Sequence, residues 1–180
     1  SYMFKGEVRW ATRGSFTSDQ ARLAQEIWDN KYKDVQDSFP QGVTLLVEII
    51  HPNNKIVVDY GDMEDLILLG GYHVEGGWEL NHTDLGIINM VTNMPVAEQF
   101  VGTIEEAMKI LEGFDHNNEG FVAYWRKSGL RLKFKSKDYL DVHRIIHGLS
   151  FKNKVKHWHD GTLDELVKKV PEEFREELEG

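Results

Sequence analysis

Hydrophobic and polar positions recur at two different periods along this chain, and the switches between them divide it into strands and helices. Ser1 to Phe4 is strand-like and Gly6 to Thr12 alternates loosely, as a half-buried strand does. Thr17-Ser18-Asp19-Gln20 reads as a capping box, with Thr17 as the N-cap and Gln20 three residues on. It opens a helix to about Lys33 that turns Leu23, Ile27 and Trp28 inward. Thr44 to Ile50 is apolar on both faces and predicts a buried strand. His51 to Lys55 is a turn, and Ile56 to Tyr60 returns as the hairpin partner, with Asp65 to Tyr72 as a third strand.

Trp78 to Pro95 is ambiguous, with a short helix expected from about Thr83. A second capping box, Thr103-Ile104-Glu105-Glu106, opens a helix to Leu111. After a loop at Asp115 to Asn118, Glu119 to Trp125 and Leu130 to Lys135 read as antiparallel strands around a turn at Lys127-Ser128-Gly129. Lys137 to Gly148 has helical spacing. A third capping box at Thr162 to Glu165, and Pro171 in the first turn of a last helix, give a small helical C-terminal region. The expected fold class is α+β, mostly antiparallel sheets with flanking helices. No Walker glycine loop and no G-x-G-x-x-G occurs, which argues against a P-loop or Rossmann nucleotide site.

The 180 residues, 41% hydrophobic, suffice for one domain with a sizeable core and a small appendage. No apolar run spans a bilayer and no signal-peptide pattern opens the chain, so a soluble protein of the cytoplasm, or of a host's cytoplasm if viral, is expected. The absence of cysteine excludes disulfides and thiolate metal sites. A net charge of -9 argues against indiscriminate binding of nucleic acid. The distribution changes that picture. Tyr124 to Arg144 holds seven basic and two acidic residues, whereas Asp160 to Gly180 holds eight acidic and three basic. A basic strip in an acidic protein suits phosphate binding; it also suits a solvated surface strand.

Five positions carry candidate chemistry. Glu48, among Leu45, Leu46, Val47, Ile49 and Ile50, faces a desolvation cost unless it is paired. Either a cation on a neighbouring strand or a ligand's hydrogen-bond donors would meet it. Glu119 stands at the mouth of a strand, where side chains are accessible on a rigid scaffold, or is an ordinary loop acid. Lys133 and Lys135 share one face of a strand, with Phe134 on the other; they serve a bridging anion or blunt a solvent-facing edge. Arg13, in Thr12-Arg13-Gly14-Ser15, offers a planar fork to phosphate or ribose, or is a surface arginine in a turn. The pair His157/His159 lacks a third ligand at zinc-like spacing and is read as a solvated basic helix face; His143 and His147 lie one helical turn apart, a zinc-compatible spacing, but no H-E-x-x-H accompanies them and they are read as packing or phosphate contacts.

In order along the chain, Ala11-Thr12-Arg13-Gly14-Ser15-Phe16, Leu46 to Val57, Glu119-Gly120-Phe121-Val122, and Leu132 to Ser136 with Tyr139 and His143 resemble the phage-type single-strand RNA ligases. These belong to the covalent nucleotidyltransferase superfamily, with DNA ligases and mRNA capping enzymes. The resemblance reaches to about His147. It implies a nucleotidyltransferase (ATP-grasp-like) adenylation domain over residues 1–148; the helical region over 149–180 is covered by no motif of the resemblance. It also implies a three-step reaction that uses ATP and Mg²⁺: a lysine takes AMP from ATP, the AMP passes to an RNA 5′-phosphate, and a 3′-hydroxyl displaces it. Arg13 would contact nucleotide or RNA phosphate, Glu48 the ribose hydroxyls, and Glu119 the metal. Lys133 and Lys135 would neutralise the α-phosphate and orient the pyrophosphate. One departure stands out: the family nucleophile lies in K-x-D-G, and neither K-x-D-G nor K-x-N-G occurs here. The chain alone is therefore not expected to form lysyl-AMP, and an upstream segment is expected to supply the lysine. The rivals are a non-catalytic nucleotide- or RNA-binding relative and a DNA-joining or capping enzyme.

Overall fold

The computed structural model describes residues 1–54, 57–148, 155–156 and 158–162, with the backbone alone at Asn53 and at residues 145–148. The chain divides into two compact units, residues 1–55 with 60–99, and residues 56–59 with 100–180. The expected mixed α+β class is what the structure has. Among the described residues there are three two-stranded antiparallel sheets with helices beside them. No helix among them is long and apolar enough to cross a membrane.

The first unit opens with the hairpin β1 (Tyr2–Phe4) and β2 (Glu7–Arg9), Tyr2 opposite Arg9. Lys5 and Gly6 both take positive φ, 51° and 82°, the two-residue turn whose twist matches its strands. Helix α1 spans Asp19–Lys31. Its N-cap is Ser18 and not Thr17. Ser18 Oγ accepts from Ala21 N at 3.2 Å and lies 3.1 Å from Thr12 Oγ1. That tertiary contact selects the cap, and the local Thr17/Gln20 pattern does not carry it. The helix buries Ala21, Ala24, Ile27 and Trp28. Trp28 is fully enclosed, with ring centroids of Trp10, Tyr32 and Phe39 at 5.8, 5.8 and 5.3 Å.

Strand β3 (Val43–Ile50) pairs antiparallel with β4 (Asp65–His73). Residues 57–60 form no strand, and Lys55 and Ile56 lie outside the described residues. The preference has a physical basis. Leu66 and Leu68 of β4 are fully buried, and Asp65 is anchored by the Tyr32 hydroxyl and by Lys31 Nζ at 2.7 Å. The far side of β4 is covered in turn: Leu68 N donates to Pro95 O at 2.7 Å, and Ala97 N to Leu68 O at 2.9 Å. Helix α2 (His82–Thr92) follows, with Asn81 and Asp84 completing a capping box near the expected start.

The expectation of a strand enclosed on both faces fails. Val43 and Leu45 point into the core, while Leu46 and Glu48 share the outer face and are exposed. Ile50, next on that face, is buried again, so the outer face is covered only in part, and the exposure of Glu48 lowers the burial cost expected of its carboxylate.

In the second unit, α3 (Ile104–Glu112) has both halves of the expected Thr103/Glu106 capping box. Strands β5 (Gly120–Trp125) and β6 (Leu130–Lys135) form a hairpin in the register Gly120 to Lys135 and Val122 to Lys133. Gly129, at φ 70°, donates to Trp125 O at 2.9 Å and closes the expected turn. Helix α4 (Lys137–Gly148) starts one residue past the buried Ser136. Residues 155–156 and 158–159 are helical. His157, the end of the Thr162 to Glu165 capping box and the Pro171 helix lie outside the described residues.

Candidate functional site

Strand parity and register bring the second unit's ionisable groups together. Lys133 and Lys135 project from the same face of β6, while Phe134 turns to the other and stacks on Phe121 at 5.2 Å between centroids. Glu119 immediately precedes Gly120, the partner of Lys135, so its side chain arrives at the same end of the hairpin. Both ammonium groups reach its Oε1, Lys133 Nζ at 2.7 Å and Lys135 Nζ at 2.9 Å. The side-by-side cations therefore already share an anion, and it is the carboxylate of the third candidate residue.

The backbone that fixes this geometry admits few substitutes. Gly120 has φ 145°, and a Cβ placed there would lie 1.9 Å from Phe134 O, so the close approach of the two strands beside Glu119 demands glycine. Ser136 locks the other side. Its N donates to Glu119 O at 2.8 Å, its Oγ donates to Asn118 O at 2.9 Å, and that Oγ accepts from Tyr139 N at 3.1 Å to cap α4. One serine thus ties the loop before Glu119 to the helix after Lys135. The loop is further held by Asn117, whose amide nitrogen donates to Asp59 O at 3.2 Å while its oxygen accepts from Asp59 N.

Burial alone would raise the carboxyl of Glu119, but hydrogen bonds and charge from Lys133 and Lys135 outweigh it and hold the group below its ordinary range. The hydrogen bond to Glu119 keeps Lys135 above the ordinary lysine value. Tyr139, buried beneath, is raised by burial first and by the charge of Glu119 next. Lys135 Nζ lies 4.9 Å from the centre of its ring, and His143 stacks on the far side of the sequence motif at 5.6 Å from Tyr139. His143 thus packs against an aromatic ring; the side chain of His147 is outside the described residues.

The other two candidates lie in the first unit and share a cleft. A space of about 310 Å³ is lined by Trp10, Thr12, Arg13, Leu46, Glu48 and Asn54, among others, at the small end of the range for ligand sites. Thr12 and Ser15 pair through their backbones, Thr12 N to Ser15 O at 2.9 Å, so Arg13 sits at the tip of a tight turn beside the cap of α1. Its guanidinium makes no hydrogen bond or ion pair with a described residue. The structure therefore gathers the candidates into two groups, Arg13 with Glu48 and Glu119 with Lys133 and Lys135.

For a metal ion the fit is partial. Among the described residues, no three His, Asp or Glu side chains are arranged to hold one. A single carboxylate such as Glu119 is nonetheless a common protein contribution to Mg²⁺, which fills its remaining positions with water and substrate phosphate.

Over 123 residues the chain is 31% identical to a protein of Thermovibrio ammonificans (strain DSM 15698 / JCM 12110 / HB-1) described as "Putative RNA ligase". The chain has a distant, family-level likeness to RNA ligases. The similar stretch takes in 66% of this chain and 31% of that protein, so the chain spans less than a third of its relative's length. No protein-family model matches it.

Sequence reasoning missed two residues of the site. Ser136 was read only as the end of a motif, although a serine immediately before a helical pattern is an N-cap signal. Gly120 was read only as part of a motif, although a glycine at the first position of a strand marks close backbone approach.

Proposed function

We propose that this chain is the nucleotide-handling part of an ATP-dependent RNA ligase, one that joins RNA 5′-phosphate and 3′-hydroxyl ends through lysyl-AMP and RNA-adenylate intermediates. The observation that carries the reading is the pair of ammonium groups held on one carboxylate at the end of a rigid hairpin. The distant likeness to an RNA ligase supports the same reading. Residues 1–148 would form the adenylation part and 149–180 a small appended region.

In this reading Lys133 and Lys135 neutralise charge at the α-phosphate and steer the leaving pyrophosphate. They are fixed before the phosphate arrives, so little reorganisation is needed. Glu119 balances the pair while no anion is present and yields its place to phosphate. Mg²⁺ would be held by Glu119 together with the phosphates of ATP, and would supply positive charge there. Arg13 offers its fork to a nucleotide or RNA phosphate. Glu48, exposed on β3, accepts hydrogen bonds from ribose hydroxyls. The nucleophile falls to a K-x-D-G lysine, a motif absent from these 180 residues.

The test is incubation with ATP labelled at the α-phosphate, in Mg²⁺. The expected outcome is label retained by native protein on a filter, weakened by Lys133→Ala, and lost on denaturation. Covalent label that survives denaturation would point to another nucleophile within this chain and overturn the assignment of roles. Absence of retained label in the native state would remove the ligase reading itself.

A further inference from the structure

The basic strip does not end at Lys133. From Trp125 to Lys137 the chain carries six basic residues and no acidic one, within a protein of net charge -9. Strand parity places Arg131 on the same face of β6 as Lys133 and Lys135, with spacings of about 7 Å between successive cations. Opposite Arg131 in the register stands Tyr124, 47% exposed. The Arg131 guanidinium carbon lies 3.8 Å from the centre of its ring. An exposed aromatic ring with a guanidinium laid over it is a surface on which a splayed-out nucleobase can stack, because the base faces of a duplex are hidden and those of a single strand are not.

We propose that the outer face of the β5–β6 hairpin is a binding track for single-stranded RNA. Lys135 and Lys133 take phosphate at the Glu119 end, and the Arg131–Tyr124 pair takes a phosphate and a base further along. The choice of RNA rests on the ligase reading; the track itself rests on charge and geometry. The strip from Arg131 to Lys135 is about 14 Å long, the length of about four stacked nucleotides. Glu119 is the acid at one end of it, and the Tyr124 end has none within β5 or β6. The hairpin is therefore a basic surface on an acidic chain, and a polyanion is drawn to it.

The experiment uses the full 180-residue chain and a fluorescent, 5′-phosphorylated ten-nucleotide RNA, followed by anisotropy across a salt series. Three neutralised phosphates predict that log K falls with log salt at a slope of about -2. Arg131→Ala should weaken binding about tenfold and make that slope shallower by about 0.7. Tyr124→Ala should weaken it at least about fivefold with the slope unchanged, and Tyr124→Phe should restore it. Melting curves alongside show that each variant folds. Wild-type affinity in both alanine variants overturns the track, as does tighter binding of the same sequence as a blunt duplex. ATP binding by the unmodified chain is measured separately. RNA binding without ATP binding upholds the track and counts against the ligase reading, whereas ATP binding without RNA binding overturns the track alone.

Discussion

Replacing Glu119 by glutamine keeps the shape of the side chain and removes its charge, and the consequence should change sign with Mg²⁺. The ammonium nitrogens of Lys133 and Lys135 contact the same oxygen at 2.7 and 2.9 Å, so they stand at most about 5.6 Å apart. At that separation two unit charges repel by about 0.7 kcal/mol in water and about 3 kcal/mol at an effective dielectric constant of ~20. The three side chains are between 31 and 50% exposed, which places the value near the lower figure, at about 1 kcal/mol. In the Glu119→Gln variant this repulsion is uncompensated until an anion binds. Metal-free pyrophosphate or ATP should therefore bind the variant about fivefold more tightly than the wild type. With Mg²⁺ present, the variant lacks the carboxylate that would hold the ion, and the enhancement that Mg²⁺ gives the wild type should shrink by at least about tenfold. Calorimetric titrations in EDTA and in Mg²⁺ measure both. Equal affinities in EDTA would refute the competition between carboxylate and phosphate. Tighter binding by the variant in both conditions would refute a metal role and leave Glu119 as a counter-ion.

Gly120→Ala forces a Cβ toward Phe134 O and should separate the strands beside Glu119; a loss of stability of about 2 kcal/mol or more in urea melts, with weaker ATP binding, is expected. Ser136→Ala removes a buried cap and leaves Asn118 O without its donor, a loss of about 1–2 kcal/mol read in the same melts. Tyr32→Phe deletes a hydroxyl that burial and Asp65 push well above its ordinary titration range, and should cost about 1–2 kcal/mol without altering ligand binding. The ion pair gives a pH signature. Glu119 is lowered, so its contribution is full above the ordinary carboxyl value of 4.5 and is lost as pH falls through the lower folded value. Lys135 is raised, so its contribution is full below 10.5 and is lost as pH rises through the higher folded value. The melting-temperature difference between wild type and Glu119→Gln should be flat between those limits and shrink outside them.

What the sequence disclosed, and what it hid, follows from the range of the interactions involved. The hairpin around Lys127-Ser128-Gly129 was legible because its turn chemistry and period of two are local, and once its register is set the facing of Lys133 and Lys135 is fixed. The cap of α3 was legible for the same reason. The cap of α1 was not, because Thr12 chooses between Thr17 and Ser18 from outside the helix. The partner of β3 was misjudged because a nearby apolar run competes with a slightly more distant one, and only the burial of Leu66 and Leu68 decides. The same error hid the exposure of Glu48, since an apolar run looks enclosed until the number of strands in its sheet is known. That Glu119 pairs with both lysines required the register and the position of Gly120 together.

The measurement to make first is a titration of ATP in Mg²⁺ into the wild-type chain and into Lys133→Ala, Lys135→Ala and the double variant. The expected result is saturable binding by the wild type, at least about tenfold weaker binding in each single variant, and a loss in the double variant that differs from the sum of the two, because both lysines act at one anion. Binding unaffected by either substitution, or none by the wild type, would contradict the assignment of these residues to a nucleotide.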